Sequence, residues 1–134
     1  IRYRTMDVAV ATEKRCSCGR EYPLLEKVEG RLQEFIVTRG GHLISVTPIN
    51  YGSGAFENIK QFQMYQEEIG ELIMKIVRKP TYTEKDTLQL TQELRWQLGD
   101  DVNVHVHFVD EIPRTEGGKF RYLIQKLPIT LGDL

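Results

Sequence analysis

Residues 113 to 121 read PRTEGGKFR. Pro113 stiffens the entry, and Gly117 and Gly118 strip side chains from the backbone just before Lys119. A lysine is a point charge on a long flexible stem, able to reach a phosphate oxygen or a carboxylate. Such a cation offsets the charge that develops in acyl or phosphoryl transfer. The same spacing also fits a solvated turn, because glycine–lysine loops are common. Asp7, in YRTMDVAV, ends a polar cluster inside a strand-like run. A carboxylate there can accept both hydroxyls of a ribose diol, or it can cap a turn at a strand edge. Arg31 follows Gly30 in EGRLQEF. It can pair with a nucleotide or a carboxylate, or serve as a surface charge.

Cys16 and Cys18 stand one residue apart in CSCG. A disulfide between them would be strained and would close almost no loop, so reduced thiols in a cytoplasmic protein are expected. The pair can also supply half of a four-ligand zinc site. His42, His105 and His107 lie elsewhere in the sequence. His105 and His107 share one strand face, but the remaining half of a site is not visible at ligand spacing.

These residues need a scaffold. The chain has 134 residues, of which 40% are hydrophobic, which suits one domain with a real core. Its formal net charge of −1 gives no general field for nucleic acid or an anionic membrane, so any anion site must be local. No apolar run approaches the roughly 20 residues that span a bilayer, and no signal-peptide pattern opens the chain. The chain begins on Ile1 and runs straight into a strand-like segment, which reads as a piece of a longer polypeptide.

Alternation predicts a strand over residues 1–12, then a polar loop to Pro23 and a mixed extended stretch broken by Gly30. EFIVTRGGHLIS predicts a β-hairpin whose turn holds Gly40 and Gly41. Thr47 and Pro48 predict a short or interrupted helix. Strands follow in IKQFQMYQ and ELIMKIVRK, the second burying Leu72, Met74 and Ile76. Thr83, Leu90, Leu94, Leu98 and Gly99 mark the clearest helix. VNVHVHFV alternates again, placing Val102, Val104, Val106 and Phe108 on one face. The order predicts an α+β fold: a small mixed or antiparallel sheet, helices packed on one face, and a β-hairpin.

Taken in order, YRTMDVAV, VEGRLQEFIVTRGGHLIS and DEIPRTEGGKFR together resemble the end of the adenylate-forming ligases. The CSCGR insert narrows the resemblance to the branch of phenylacetate–CoA ligases and capsular polysaccharide biosynthesis proteins. The resemblance covers nearly the whole chain. It implies that residues 1–30 are the tail of a large N-terminal domain, absent here, and that residues 31–134 form a mobile C-terminal lid. It implies ATP, Mg2+ and coenzyme A as cofactors of the whole enzyme, and a small carboxylic acid as substrate. Lys119 then corresponds to the adenylation lysine, Asp7 to the ribose-binding carboxylate, and Arg31 to an arginine near the ribose. Gly40 and Gly41 fall on the thiol acceptor's path, and Gln33 at the hinge. Three positions depart from the family pattern: Met6 replaces a glycine, Gln33 an aspartate or lysine, and Gly117 a serine or threonine.

YGSGAF comes nearest to a phosphate-binding loop, but no strand-to-helix motif surrounds it, so the chain alone is expected to be catalytically silent. The other reading of the same element order is a free-standing regulatory module that binds a small ligand or pairs edge strands into a homodimer.

Overall fold

A computed structural model of the chain describes residues 2–3, 5–31 and 34–129. Three separate sheets organise them. Strand β1 (Asp7–Thr12) pairs antiparallel with β2 (Leu24–Arg31) as a two-stranded ribbon. Strand β3 (Phe35–Val37) pairs with β4 (Leu43–Ser45) as the expected hairpin. The third sheet has four strands. Strand β5 (Ile59–Glu68) lies antiparallel to β6 (Glu71–Arg78), with Met64 opposite Met74. Strand β7 (Asn103–Phe108) runs parallel to β6, and β8 (Leu123–Gln125) runs parallel to β5, giving the order β7-β6-β5-β8.

The parallel pairing of β6 and β7 needs a crossover, and helix α1 (Glu84–Leu98) supplies it. Leu90, Leu94 and Leu98 recur on one side of α1 and are buried, as are Leu72, Met74 and Ile76 beneath them. Burying one such side chain contributes about 1.5–3 kcal/mol. At its N-terminus the Asp86 carboxylate reaches back to accept the Thr83 N–H and hydroxyl, both at 2.7 Å. Gly99 ends the helix with φ +80°.

The structure departs from the sequence reading in four places. The first strand begins at Asp7 rather than at the chain start. Met6 explains this: its φ of +64° takes the backbone out of the extended region. The segment after Thr47 forms only a 3-10 turn, Gly54–Phe56, leaving α1 as the one α-helix among the described residues. Phe108 lies 46% exposed instead of joining the core. It packs edge-on against Tyr82, with the Arg78 guanidinium 4.4 Å above its ring. Strand β8 was not expected. Among the described residues no helix is long and apolar enough to cross a membrane.

Candidate functional site

The glycine–lysine loop is a closed turn. Thr115 N–H donates to the Lys119 carbonyl at 2.9 Å, and Gly118 N–H donates to the Thr115 carbonyl at 2.8 Å. Thr115 Oγ1 also accepts the Lys119 N–H at 3.1 Å, and Arg114 donates to the Gly118 carbonyl. Gly118 holds φ +75°, in the left-handed region that disfavours a side chain. The turn therefore presents Lys119 outward, exposed and in no ion pair among the described residues.

On leaving the turn the chain enters β8. Tyr122 C=O accepts the Met64 N–H at 2.7 Å, and Arg121 C=O accepts the Gln63 amide at 2.9 Å. This fixes the base of the loop to β5. It also sets Lys119 and Arg121 beside a groove of about 410 Å³ that Arg31, Glu34, Thr47 and Tyr51 line from the other side. Three cations, Arg31, Lys119 and Arg121, face this groove against one carboxylate, Glu34. Phe120 and Tyr122 complete the walls. Such a groove is electrostatically complementary to an anion with an apolar or aromatic part.

Asp7 joins the same region through Arg31. The two are register partners at the end of the β1–β2 ribbon, with Arg31 Nε 3.8 Å from Asp7 Oδ1. Residues read separately in the sequence as Asp7, Arg31 and Lys119 are thus brought to one end of the molecule. Gln33, expected at the hinge, lies outside the described residues.

Sequence reasoning missed the aromatic side of the groove. Tyr51 and Tyr122 stack at 5.9 Å with their planes 14° apart, and Phe62 lies 5.0 Å from Tyr51 and 5.4 Å from Tyr122. Tyr51 donates its hydroxyl proton to the Val46 carbonyl at 2.8 Å. Burial, then the nearby Tyr122 and Glu34, push the Tyr51 phenol up to about 12. It is a fixed wall rather than a proton donor near neutral pH. No local pattern announces these contacts, because the three rings come from a loop, β5 and the approach to β8.

Gly40 and Gly41 lie elsewhere. They form the turn of the β3–β4 hairpin, while Glu34, Val46 and Thr47 of the groove flank its open end. Three paired residues separate the two, roughly 10 Å of strand. Gly40 N–H donates to Asp101 Oδ2 at 3.1 Å, and a Cβ on Gly40 would stand 2.9 Å from that oxygen. Gly41 holds φ +81° and donates to the Thr38 carbonyl.

Cys16 and Cys18 sit in the β1–β2 loop as free thiols, their Sγ atoms 2.7 Å apart. Hydrogen bonding with Cys16, then with backbone at Arg20, holds the Cys18 thiol below its ordinary value. Among the described residues no group of three or more histidines, cysteines or carboxylates gathers for a metal ion. His105 instead faces Glu71, Nε2 to Oε2 at 2.6 Å, on the sheet surface away from α1.

Comparison with known proteins adds three findings. Residues 35–126 match the CapK C-terminal domain family. Protein CapK of Staphylococcus aureus is 26% identical over 105 residues, covering 77% of this chain and 23% of that protein. Among solved structures, 2-hydroxyisobutyryl-CoA ligase in the postadenylation state with R3-HIB-AMP superposes with a TM-score of 0.55. The identity is 19%, over 91% of this chain and 28% of that one. The same ligase in an open conformation with 2-HIB-AMP and CoA gives 0.52 at 20% identity, over 90% and 28%. At this identity the likeness shows the fold, that of the C-terminal domain of adenylate-forming ligases. The chain spans 23% to 28% of the length of the relatives it matches.

Proposed function

The chain belongs to the CapK C-terminal domain family, and on that premise we propose that it is the lid of a ligase that activates a small carboxylic acid with ATP and passes the acyl group to coenzyme A. In the first half-reaction a carboxylate oxygen attacks the α-phosphorus of ATP, and pyrophosphate leaves. Lys119 offsets the charge on the carboxylate and α-phosphate as they approach. Asp7 accepts the ribose hydroxyls, and Arg31 faces the nucleotide. In the second, a thiol sulfur attacks the acyl carbon and AMP leaves with the bonding electron pair. The lid turns between the two steps, withdrawing Lys119 and bringing the Gly40–Gly41 turn beside the thiol's path.

One observation carries this reading: Arg31 and Lys119, from opposite ends of the chain, line a single groove with a cationic excess. The separate placement of the Gly40–Gly41 turn, at the far end of the hairpin, supports a two-faced lid. The β1–β2 ribbon leaves Leu25 and Val28 about as exposed as surface residues, at 59% and 61%. That supports assigning residues 1–30 to a neighbouring large domain that binds the acid and ATP. Coenzyme A fits as acceptor through that neighbouring domain as much as through this one. Mg2+ accompanies ATP and is assigned with it to the whole enzyme. Cys16 and Cys18 offer two zinc ligands, with any others outside the described residues.

The test is Lys119→Ala in the protein that carries this chain with its large domain. Carboxylate-dependent pyrophosphate exchange should fall about 100-fold or more, the scale of losing a charge-stabilising donor, while ATP binding is kept. Exchange at the parent rate sinks the assignment of Lys119.

A further inference from the structure

Gln66 is a glutamine in the middle of the core, 0% exposed. Its side chain makes three hydrogen bonds. Oε1 accepts the Val37 N–H at 2.7 Å and the Gln125 amide at 2.7 Å, and Nε2 donates to the Val37 carbonyl at 2.8 Å. Its own carbonyl accepts the Lys126 N–H at 2.8 Å. The Gln125 amide also donates to the Phe35 carbonyl at 2.9 Å.

The hairpin needs such a tether. Strands β3 and β4 pair over three residues and share no ladder with the four-stranded sheet. An isolated two-stranded hairpin is marginal in water. The Gln66 amide does what a neighbouring strand would do, accepting from and donating to the same residue, Val37. An amide is suited to this because it sets one donor group beside one acceptor. Gly70 N–H to the Val37 carbonyl and Arg39 N–H to the Asp101 carbonyl complete the seam.

We propose that Gln66 is the positioning residue that locks the β3–β4 hairpin, and with it the Gly40–Gly41 turn, to the strand that delivers Lys119. The two loops of the lid then turn as one rigid unit. Val37 lies at the turn end of the hairpin, and Gln125 closes the strand into which the Lys119 loop runs. Gln66 is bonded to both. Its use in the reaction rests on the ligase reading above; the locking itself does not.

The test compares Gln66→Leu with the parent. Leucine fills the space but leaves the part-buried Val37 N–H and one N–H of the Gln125 amide without a partner, which is costly. In this chain, backbone amide exchange at Val37, Thr38 and Gly41 should accelerate about tenfold or more, as a local opening does. Leu72 and Met74, in β6 between β7 and β5, should change far less. Uniform acceleration of both sets, or none, overturns the proposal. If Gln66→Leu does not fold, Gln66→Asn, which keeps the amide but draws it back from Val37 by one methylene, is read in the same way.

In the protein carrying the large domain, Gln66→Leu should leave pyrophosphate exchange within about threefold and lower thioester formation about tenfold, because the hairpin and not the lysine loop comes loose. Equal loss of both half-reactions overturns the positioning role. If Lys119→Ala leaves exchange intact, the ligase reading fails while the amide result stands or falls by itself.

Discussion

Asp7 and Arg31 are partners across the last rung of the β1–β2 ribbon, 3.8 Å apart, with 41% and 70% of their side chains exposed. An exposed ion pair of this kind contributes about 0–1 kcal/mol to stability. The proposed ribose contact, and not the stability of the ribbon, is then the role to test for Asp7. Asp7→Asn should therefore leave the melting temperature nearly unchanged. In the protein with its large domain it should weaken ATP binding about tenfold or more, the loss of hydrogen bonds to a charged acceptor. Parallel calorimetry of unfolding and of nucleotide titration checks both halves. A large drop in melting temperature with unchanged ATP affinity makes Asp7 a structural residue.

Met6 precedes Asp7 with φ +64°. For a residue with a Cβ this conformation costs about 1–2 kcal/mol, which gives a physical reason for the glycine that the family pattern has there. Met6→Gly should keep or tighten the ribbon, relief of strain being offset in part by glycine's greater freedom when unfolded. Met6→Val should loosen it, because a β-branched residue is a genuine outlier at positive φ. Amide exchange at Val8 and Val10 orders the three: slowest or equal in the glycine variant, fastest in the valine variant. Faster exchange in the glycine variant than in the parent contradicts the strain.

What the sequence disclosed, and what it hid, follows from range. Leu90, Leu94 and Leu98 on a 3.6-residue period need only their own helix to be recognised. Leu72, Met74 and Ile76 need only their own strand. Strand β8 is three residues long, too short to show alternation, and exists because Met64 and Gln66 supply its backbone partners. Gln66 itself looks like a surface residue in sequence, since its Val37 and Gln125 partners are brought in by the fold. The site followed the same rule. Lys119, Asp7 and Arg31 were legible as chemical types in motifs, whereas the aromatic wall of Tyr51, Phe120 and Tyr122 has no motif to reveal it.

Two carboxylates make stability depend on acid. Hydrogen bonds from His105 and then Asn103 hold Glu71 below its usual value of 4.5. Hydrogen bonds from Asn58 and then Thr83 hold Asp86 below 3.8. A folded-state value lower than the unfolded one gives stability that is complete above the unfolded value. It is lost as pH falls through the lower, folded value. The melting temperature should therefore decline as pH drops below roughly 4.5. Asp86→Asn should flatten part of that decline, and Glu71→Gln another part, with little effect of either on the slope near pH 7. Thermal melts at stepped pH check this. An unchanged acid slope in the double variant rules these two groups out as its source.

Gly117 and Gly118 look equivalent in sequence and are not equivalent in the fold. A Cβ on either meets nothing within 4 Å, so space does not separate them. Conformation does: Gly118 has φ +75° and Gly117 is not at positive φ. The family's serine or threonine at Gly117 is therefore compatible with this turn, and the departure from it costs the backbone nothing. Gly117→Ser should preserve the Thr115–Lys119 closure and leave pyrophosphate exchange near the parent rate. Gly118→Ala adds strain of about 1 kcal/mol or more at the residue just before Lys119. If the turn opens to relieve it, Lys119 loses its aim, and a displacement of about 1 Å can cost a hundredfold in rate. Gly118→Ala should therefore lower exchange at least tenfold with a melting temperature lowered by only a few degrees, because the loop is exposed and contributes little to the core. Equal activity in the two variants shows that Lys119 does not depend on the turn for its aim. Equal loss in both shows that the loop needs two bare positions, and that contact with another surface rather than φ is what excludes the side chain.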